Sequence, residues 1–128
     1  MIVWNDQFSV GVPRMDAQHR RMIDLINALH PDTDADGAAK VISGMFDYAS
    51  LHFAAEEELL RQVGYSELHA QQREHQAFLS KADEFSKADL HNPELYAHIA
   101  DFLRSWMLHH ILEEDMKYKR CIPENFIQ

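Results

Sequence analysis

The residues best equipped for chemistry in this chain are its histidines, nine among 128 residues. Four of them fall on apolar stripes. His19 lies between Met15 and Met22, His52 is followed four residues later by Glu56, His75 precedes Phe78 by three, and His110 follows Trp106 by four. Spacings of three and four put side chains on one face of a helix, so these imidazoles and Glu56 point where core residues point. Burying several imidazoles and a carboxylate together is costly, and a bound cation offsets that cost. Facing helices that carry His and carboxylate side chains are how bundles build di-iron and di-manganese sites. Imidazole with carboxylate suits iron, although manganese and zinc accept the same donors. With Cys121 the single cysteine, a thiolate zinc site is a poor fit.

The elements that must position these groups are helices. Four Gly and four Pro punctuate the chain rather than fill it. Between them the apolar residues repeat at helical spacing: Met15, Met22, Ile26 and Leu29; then Val41, Met45, Tyr48, Leu59 and Val63. The pattern continues with Leu68, Phe78, Leu79, Ala82 and Phe85, and ends with Leu95, Ile99, Phe102, Leu103 and Trp106. No segment alternates with period two for long. An all-α fold follows, with helices at about 16–30, 36–63, 66–87 and 93–118 after an irregular arm, about 1–15. Asp16, Ser66 and Asn92 stand where N-caps belong. Loops this short favour an up-down-up-down antiparallel four-helix bundle, one domain spanning 1–128. At 1.5 Å per residue, His52, His75 and His110 lie roughly 16, 14 and 12 Å from one end of that bundle. His19 is only about three residues into its helix, and joins this layer only if the arm lengthens the stack.

Charge narrows the partners. Twenty-one acidic residues against 12 basic ones leave a net charge of -9, which repels phosphate backbones and anionic lipid. No nucleic-acid or membrane partner is expected. A lone cysteine fits a reducing compartment, the N-terminus lacks the pattern of a signal peptide, and no apolar run approaches the ~18 residues of a span. The expected location is the cytoplasm.

Several ordered motifs resemble the hemerythrin family in its short bacterial form. They are the arm Trp4, Phe8, Val10, Gly11 and Val12, the run Met15-Asp16-Ala17-Gln18-His19, and His52-Phe53 followed by Glu56-Glu57. Glu74-His75 with Phe78, and Trp106 with His110-Ile111 and Asp115, complete the set, which spans residues 4 to 115. The resemblance implies a non-haem di-iron centre that binds dioxygen reversibly, with a solvent-derived oxo or hydroxo group between the irons. It implies that His19 and His52 hold the O2-binding iron, that His75 and His110 hold the other, and that Glu56 and Asp115 bridge. Phe53, Trp106, Met107 and Ile111 become candidates to line the O2 pocket, where exclusion of water would slow autoxidation.

This sequence departs from the family pattern in two places. The family has His-x-x-x-His on the third helix, and the earlier of the two positions is Gln71 here. Gln71 is about 40° from His75 on an ideal helix, whereas His69 is about 120° away. Gln71 ligating through its amide oxygen, water in its place, or His69 swinging in are the three outcomes. Asp115 is five residues after His110, about 140° round an ideal helix, so periodicity alone nominates Glu113 or Glu114. The resemblance selects Asp115, and it requires irregular geometry near that helix end.

Other features read as structural. The loop Asp32-Thr33-Asp34-Ala35-Asp36-Gly37 copies half of an EF-hand loop, but Ser43 stands where its bidentate Glu belongs, so a capping loop is expected. His109 is expected at the surface or behind the site, and His30, His91 and His98 in solvent. Cys121 lacks a partner for nucleophilic chemistry. The leading expectation is an O2 storage, delivery or sensing protein rather than an enzyme, served by an acceptor or signalling protein. The alternatives are a di-iron enzyme acting on peroxide or nitric oxide, or a metal-storage or interaction bundle with a degenerate site.

Overall fold

The computed structural model describes residues 1–123; positions 124–128 of the expected domain lie outside the described residues. Among the described residues every regular element is helical. In chain order they are a 3-10 turn (Asp6–Phe8), α1 (Pro13–Asn27), α2 (Ala35–Gln62), α3 (Leu68–Leu79), α4 (Lys81–Ser86), α5 (Pro93–His109), a π-helical turn (His110–Asp115) and α6 (Met116–Lys119). The pair α3 and α4 forms the third rod of an antiparallel bundle, and α5, the π turn and α6 form the fourth.

The first helix begins earlier than periodicity suggests. Gly11 takes a left-handed φ of 80°, which turns the arm, and Pro13 opens α1 with its preset φ. Asp16 therefore sits inside the first turn and is no N-cap. Its carboxylate reaches back to accept from the Val10 amide at 2.9 Å and the Ser9 hydroxyl at 2.6 Å, tying the arm to the helix. At the far end of α1, the Asn27 side chain pairs with both backbone groups of Ile2, at 2.9 and 2.7 Å. The arm thus runs the length of α1, with Arg20 lying 4.7 Å over the Trp4 ring.

Ser66 caps nothing, since α3 starts two residues later without a side-chain cap. Asn92 does cap α5, accepting from the amides of Glu94 and Leu95. Asp34 caps α2 by accepting from Gly37 at 2.6 Å, so the acidic loop is a capping loop. Gly64, at φ 69°, ends α2: its amide bonds to Arg61 O and the Tyr65 amide to Leu60 O, and Tyr65 and Leu60 then share a core.

The core is split in two. One apolar cluster contains Met22, Ile26, Met45, Phe53, Phe78, Leu103, Met107 and Ile111. A smaller one contains Val10, Val12, Met15, Leu59, Leu60, Tyr65 and Tyr118. On α1 the two are separated by Gln18 and His19, and on α2 by Glu56. A buried polar layer crosses the bundle between them.

Candidate metal centre

That layer holds His19, His52, Glu56, Gln71, His75, His110 and Asp115, none more than 1% exposed. Two helical irregularities complete it. Because α1 begins at Pro13, His19 stands almost two turns into its helix, at the depth of the other imidazoles. The π turn from His110 to Asp115 supplies the second. A π-helix closes i→i+5 hydrogen bonds, so residues five apart share a face, and such turns recur at functional sites. Asp115 thereby faces inward with His110, while Glu113 is exposed and Glu114 half-buried.

The two carboxylates lie between two pairs of imidazoles. Glu56 Oε2 is 3.5 Å from both His19 Nε2 and His52 Nε2, and Glu56 Oε1 is 3.0 Å from His75 Nε2 and 3.8 Å from His110 Nε2. Asp115 Oδ2 is 3.1 Å from His19 Nε2, and Oδ1 is 3.1 Å from His110 Nε2. Each carboxylate offers one oxygen to each imidazole pair. The donor atoms form two buried triads compatible with cations, His19–His52–Glu56 and Glu56–His75–His110, that share Glu56.

Neighbours set the imidazole orientation. His52 Nδ1 donates to Gln18 Oε1 at 2.6 Å, and an amide oxygen only accepts, so His52 Nε2 is left with its lone pair facing the layer. His75 Nδ1 is 2.7 Å from Glu57 Oε2, with the same consequence. His110 Nδ1 has Glu74 Oε1 at 3.6 Å. Phe53 stacks on the His75 ring at 3.9 Å and Trp106 on the His110 ring at 4.5 Å, so apolar rings cover one side of the layer. Met107 and Ile111 are fully buried in the same core cluster as Phe53.

Three residues that periodicity did not single out matter here. Gln18 and Glu57 orient imidazoles, as described. Tyr118 is wholly buried, and its phenol donates to Glu56 Oε2 at 2.9 Å. It lies eight residues after His110, about 80° round an ideal helix and so only at the edge of that stripe, and the π turn that carries Asp115 inward carries Tyr118 with it. Gln71 is buried and donates from Nε2 to Asp115 Oδ1 at 2.9 Å, whereas His69 is exposed and takes no part. His30, His91, His98, His109 and Cys121 are exposed as well.

Within the layer the carboxylates and imidazoles shift one another's proton affinity. Burial opposes charge on His19, yet the nearby carboxylates of Asp115 and Glu56 outweigh it and lift its pKa to about 9. His110 is likewise raised, the Asp115 charge overcoming burial. His52, wholly enclosed, is lowered by burial. Burial pushes the carboxyls of Glu56 and Asp115 up, but the surrounding imidazoles prevail and hold both below their usual range. The Tyr118 phenol is raised by burial and by the Glu56 charge, so it stays a donor.

The donor set fits a metal pair. His19 Nε2, His52 Nε2, Asp115 Oδ2 and Gln71 Oε1 are all buried without a hydrogen-bond partner. Orphaned buried polar atoms are rare in folded proteins, and the inward imidazole nitrogens and the Asp115 oxygen are the kind that cations would satisfy. A further group of donors, Glu74, His109 and Glu114, lies at the surface, where Lys117 also pairs with Glu114 at 3.4 Å.

Comparison with known proteins agrees with this geometry. Residues 10–122 match the family model described as the hemerythrin HHE cation binding domain. A bacteriohemerythrin of Stenotrophomonas maltophilia is 33% identical over 121 residues, covering 92% of this chain and 79% of that protein. One of Clostridium acetobutylicum is 31% identical over 127 residues, covering 92% and 98%. The crystal structure of a wild-type hemerythrin superposes with a TM-score of 0.77 at 22% identity, covering 94% of this chain and 97% of that one, a likeness of fold.

Proposed function

The chain belongs to the hemerythrin family, and from that premise we propose that it holds a pair of non-haem irons and binds dioxygen reversibly, for storage, delivery or sensing. In this reading His19 and His52 would hold the O2-binding iron, His75 and His110 would hold the other, and Glu56 and Asp115 would be shared between them, along with an oxo or hydroxo group. The observation that carries it is the placement of both carboxylates, each with one oxygen toward either imidazole pair. Thiolates are absent from the layer and the donors are imidazole and carboxylate, which suits iron.

When bound, the metal pair supplies the electrons that reversible O2 binding requires. The rest falls to the chain. Gln18 and Glu57 fix the imidazoles with Nε2 inward, which sharpens their geometry as ligands. Tyr118 holds Glu56 in place through Oε2. Phe53, Trp106, Met107 and Ile111 form the apolar wall of the pocket and keep water from the centre, which slows irreversible oxidation. Among the described residues no helix is long and apolar enough to cross a membrane. The cytoplasm is the proposed place of action, supported by the single cysteine, with dioxygen as ligand and a separate protein as acceptor or signalling partner.

The test is an optical oxygen titration of the reduced, iron-loaded protein. Absorption bands that rise under O2 and fall again under argon over repeated cycles support carriage. A single irreversible oxidation, or no response, contradicts it.

A further inference from the structure

The two imidazole pairs are equally endowed. One has His19 and His52, the other His75 and His110, and each faces one oxygen of Glu56 and one of Asp115. A cation at either position therefore meets two imidazole nitrogens and two carboxylate oxygens, a set that leaves iron room for exogenous ligands.

Gln71 is a further polar group on the inner side of the second pair, fully buried where Glu57 and Glu74 behind the rings are partly exposed. It lies one helical turn before His75, is 1% exposed, and donates from Nε2 to Asp115 Oδ1 at 2.9 Å. The orientation is dictated by chemistry. An ionised carboxylate oxygen only accepts, so turning the amide over would set two acceptors against each other. The amide nitrogen, whose lone pair is delocalised, is no ligand. Gln71 is thus engaged in holding Asp115, and its Oε1 is left buried with no partner. A buried carbonyl oxygen without a donor is costly, and a small ligand carrying an O–H or N–H would satisfy it.

We propose that the metal held by His75 and His110 has its own exchangeable position for a small exogenous ligand beside Gln71, so that the centre takes such ligands at both metals. Solvent fills this position at rest, with a proton for Gln71 Oε1, and small anions displace it. The inference rests on the di-iron reading above and extends it from one ligand position to two.

Azide is the probe. Oxidised, iron-loaded protein is titrated by calorimetry and by its visible absorption, with iron measured in the same samples. Two azides per two irons are expected, the second binding more weakly because it must displace solvent held by Oε1. Gln71→His supplies a third imidazole and is expected to bind one azide; Gln71→Leu closes nothing and is expected to bind two. One azide per chain in the wild type, with two irons present, overturns the inference and leaves the di-iron reading intact. Two azides in Gln71→His overturn it as well, since the position would not be the one beside residue 71. Fewer than two irons per chain overturns the di-iron reading and this inference with it. The wild-type stoichiometry decides even if a variant fails to fold.

Discussion

Replacing Tyr118 by Phe removes one hydroxyl and almost no volume, and so isolates the contact between the phenol and Glu56. The donor and acceptor are both wholly buried and 2.9 Å apart, and Glu56 is held ionised. A hydrogen bond to a buried charge contributes about 1.5–3 kcal/mol. Glu56 Oε2 also has His19 and His52 at 3.5 Å, which compensates in part and places the expected loss near the lower end of that range. For a chain of this size each kcal/mol moves the melting temperature by roughly 3–5 °C, so the metal-free variant should melt about 5–8 °C lower. Cations facing Glu56 take over much of the hydroxyl's task, and the loss in the loaded protein should be at most half as large. Calorimetric melts of both proteins, metal-free and loaded, measure the difference. A metal-free Tyr118→Phe protein melting within about 1 °C of the parent would show that the phenol does not stabilise Glu56. So would an equal loss in both forms, which would assign the effect to packing rather than to the hydrogen bond.

Other expectations follow from the same layer. Deleting exposed Glu113 should turn the π turn into ordinary α-helix with Asp115 four residues after His110, still inward; the protein should fold, as circular dichroism would show, and keep its metal capacity. Gln18→Leu frees the His52 tautomer and should weaken metal binding about 10–100-fold in a chelator competition, with the helical content unchanged. The metal-free protein should have a stability window bounded on both sides. His19, raised to about 9, contributes stability that is full below its unfolded value of 6.5 and lost as pH rises through 9. Glu56 and Asp115, both lowered, contribute stability present above 4.5 and 3.8 and lost as pH falls through their folded values. Depressed His52 adds a loss as pH falls below 6.5. Melts between pH 4 and 10 check the window, and metal loading should abolish the alkaline loss because ligating imidazoles are already deprotonated.

The extent to which this architecture is legible in the sequence depends on where the helical period holds. The stripes through Met15 and Met22, Phe78, and Trp106 run at constant pitch, so His19, His75 and His110 could be placed on inward faces, and the antiparallel bundle followed. His52 and Glu56 obey the same rule. Past His110 the pitch changes: a count at 100° per residue turns Asp115 about 140° away and leaves Tyr118 about 80° off, at the edge of the stripe, whereas the structure buries both. Only the resemblance to a family pointed to Asp115; nothing pointed to Tyr118. Asp16 misled for a different reason, because a short acidic residue at a helix start serves equally well as a cap and as an anchor for the preceding chain. Hydrogen bonds such as Gln18 to His52 and Gln71 to Asp115 join residues 34 and 44 positions apart, and no local pattern encodes them.

Iron content and Mössbauer spectroscopy of the reconstituted protein decide whether the buried layer is a two-metal centre. Two irons per chain in a single magnetically coupled pair are expected, with both lost together from a Glu56→Ala variant. One iron per chain, or two irons that behave as isolated ions, would contradict the two-metal centre.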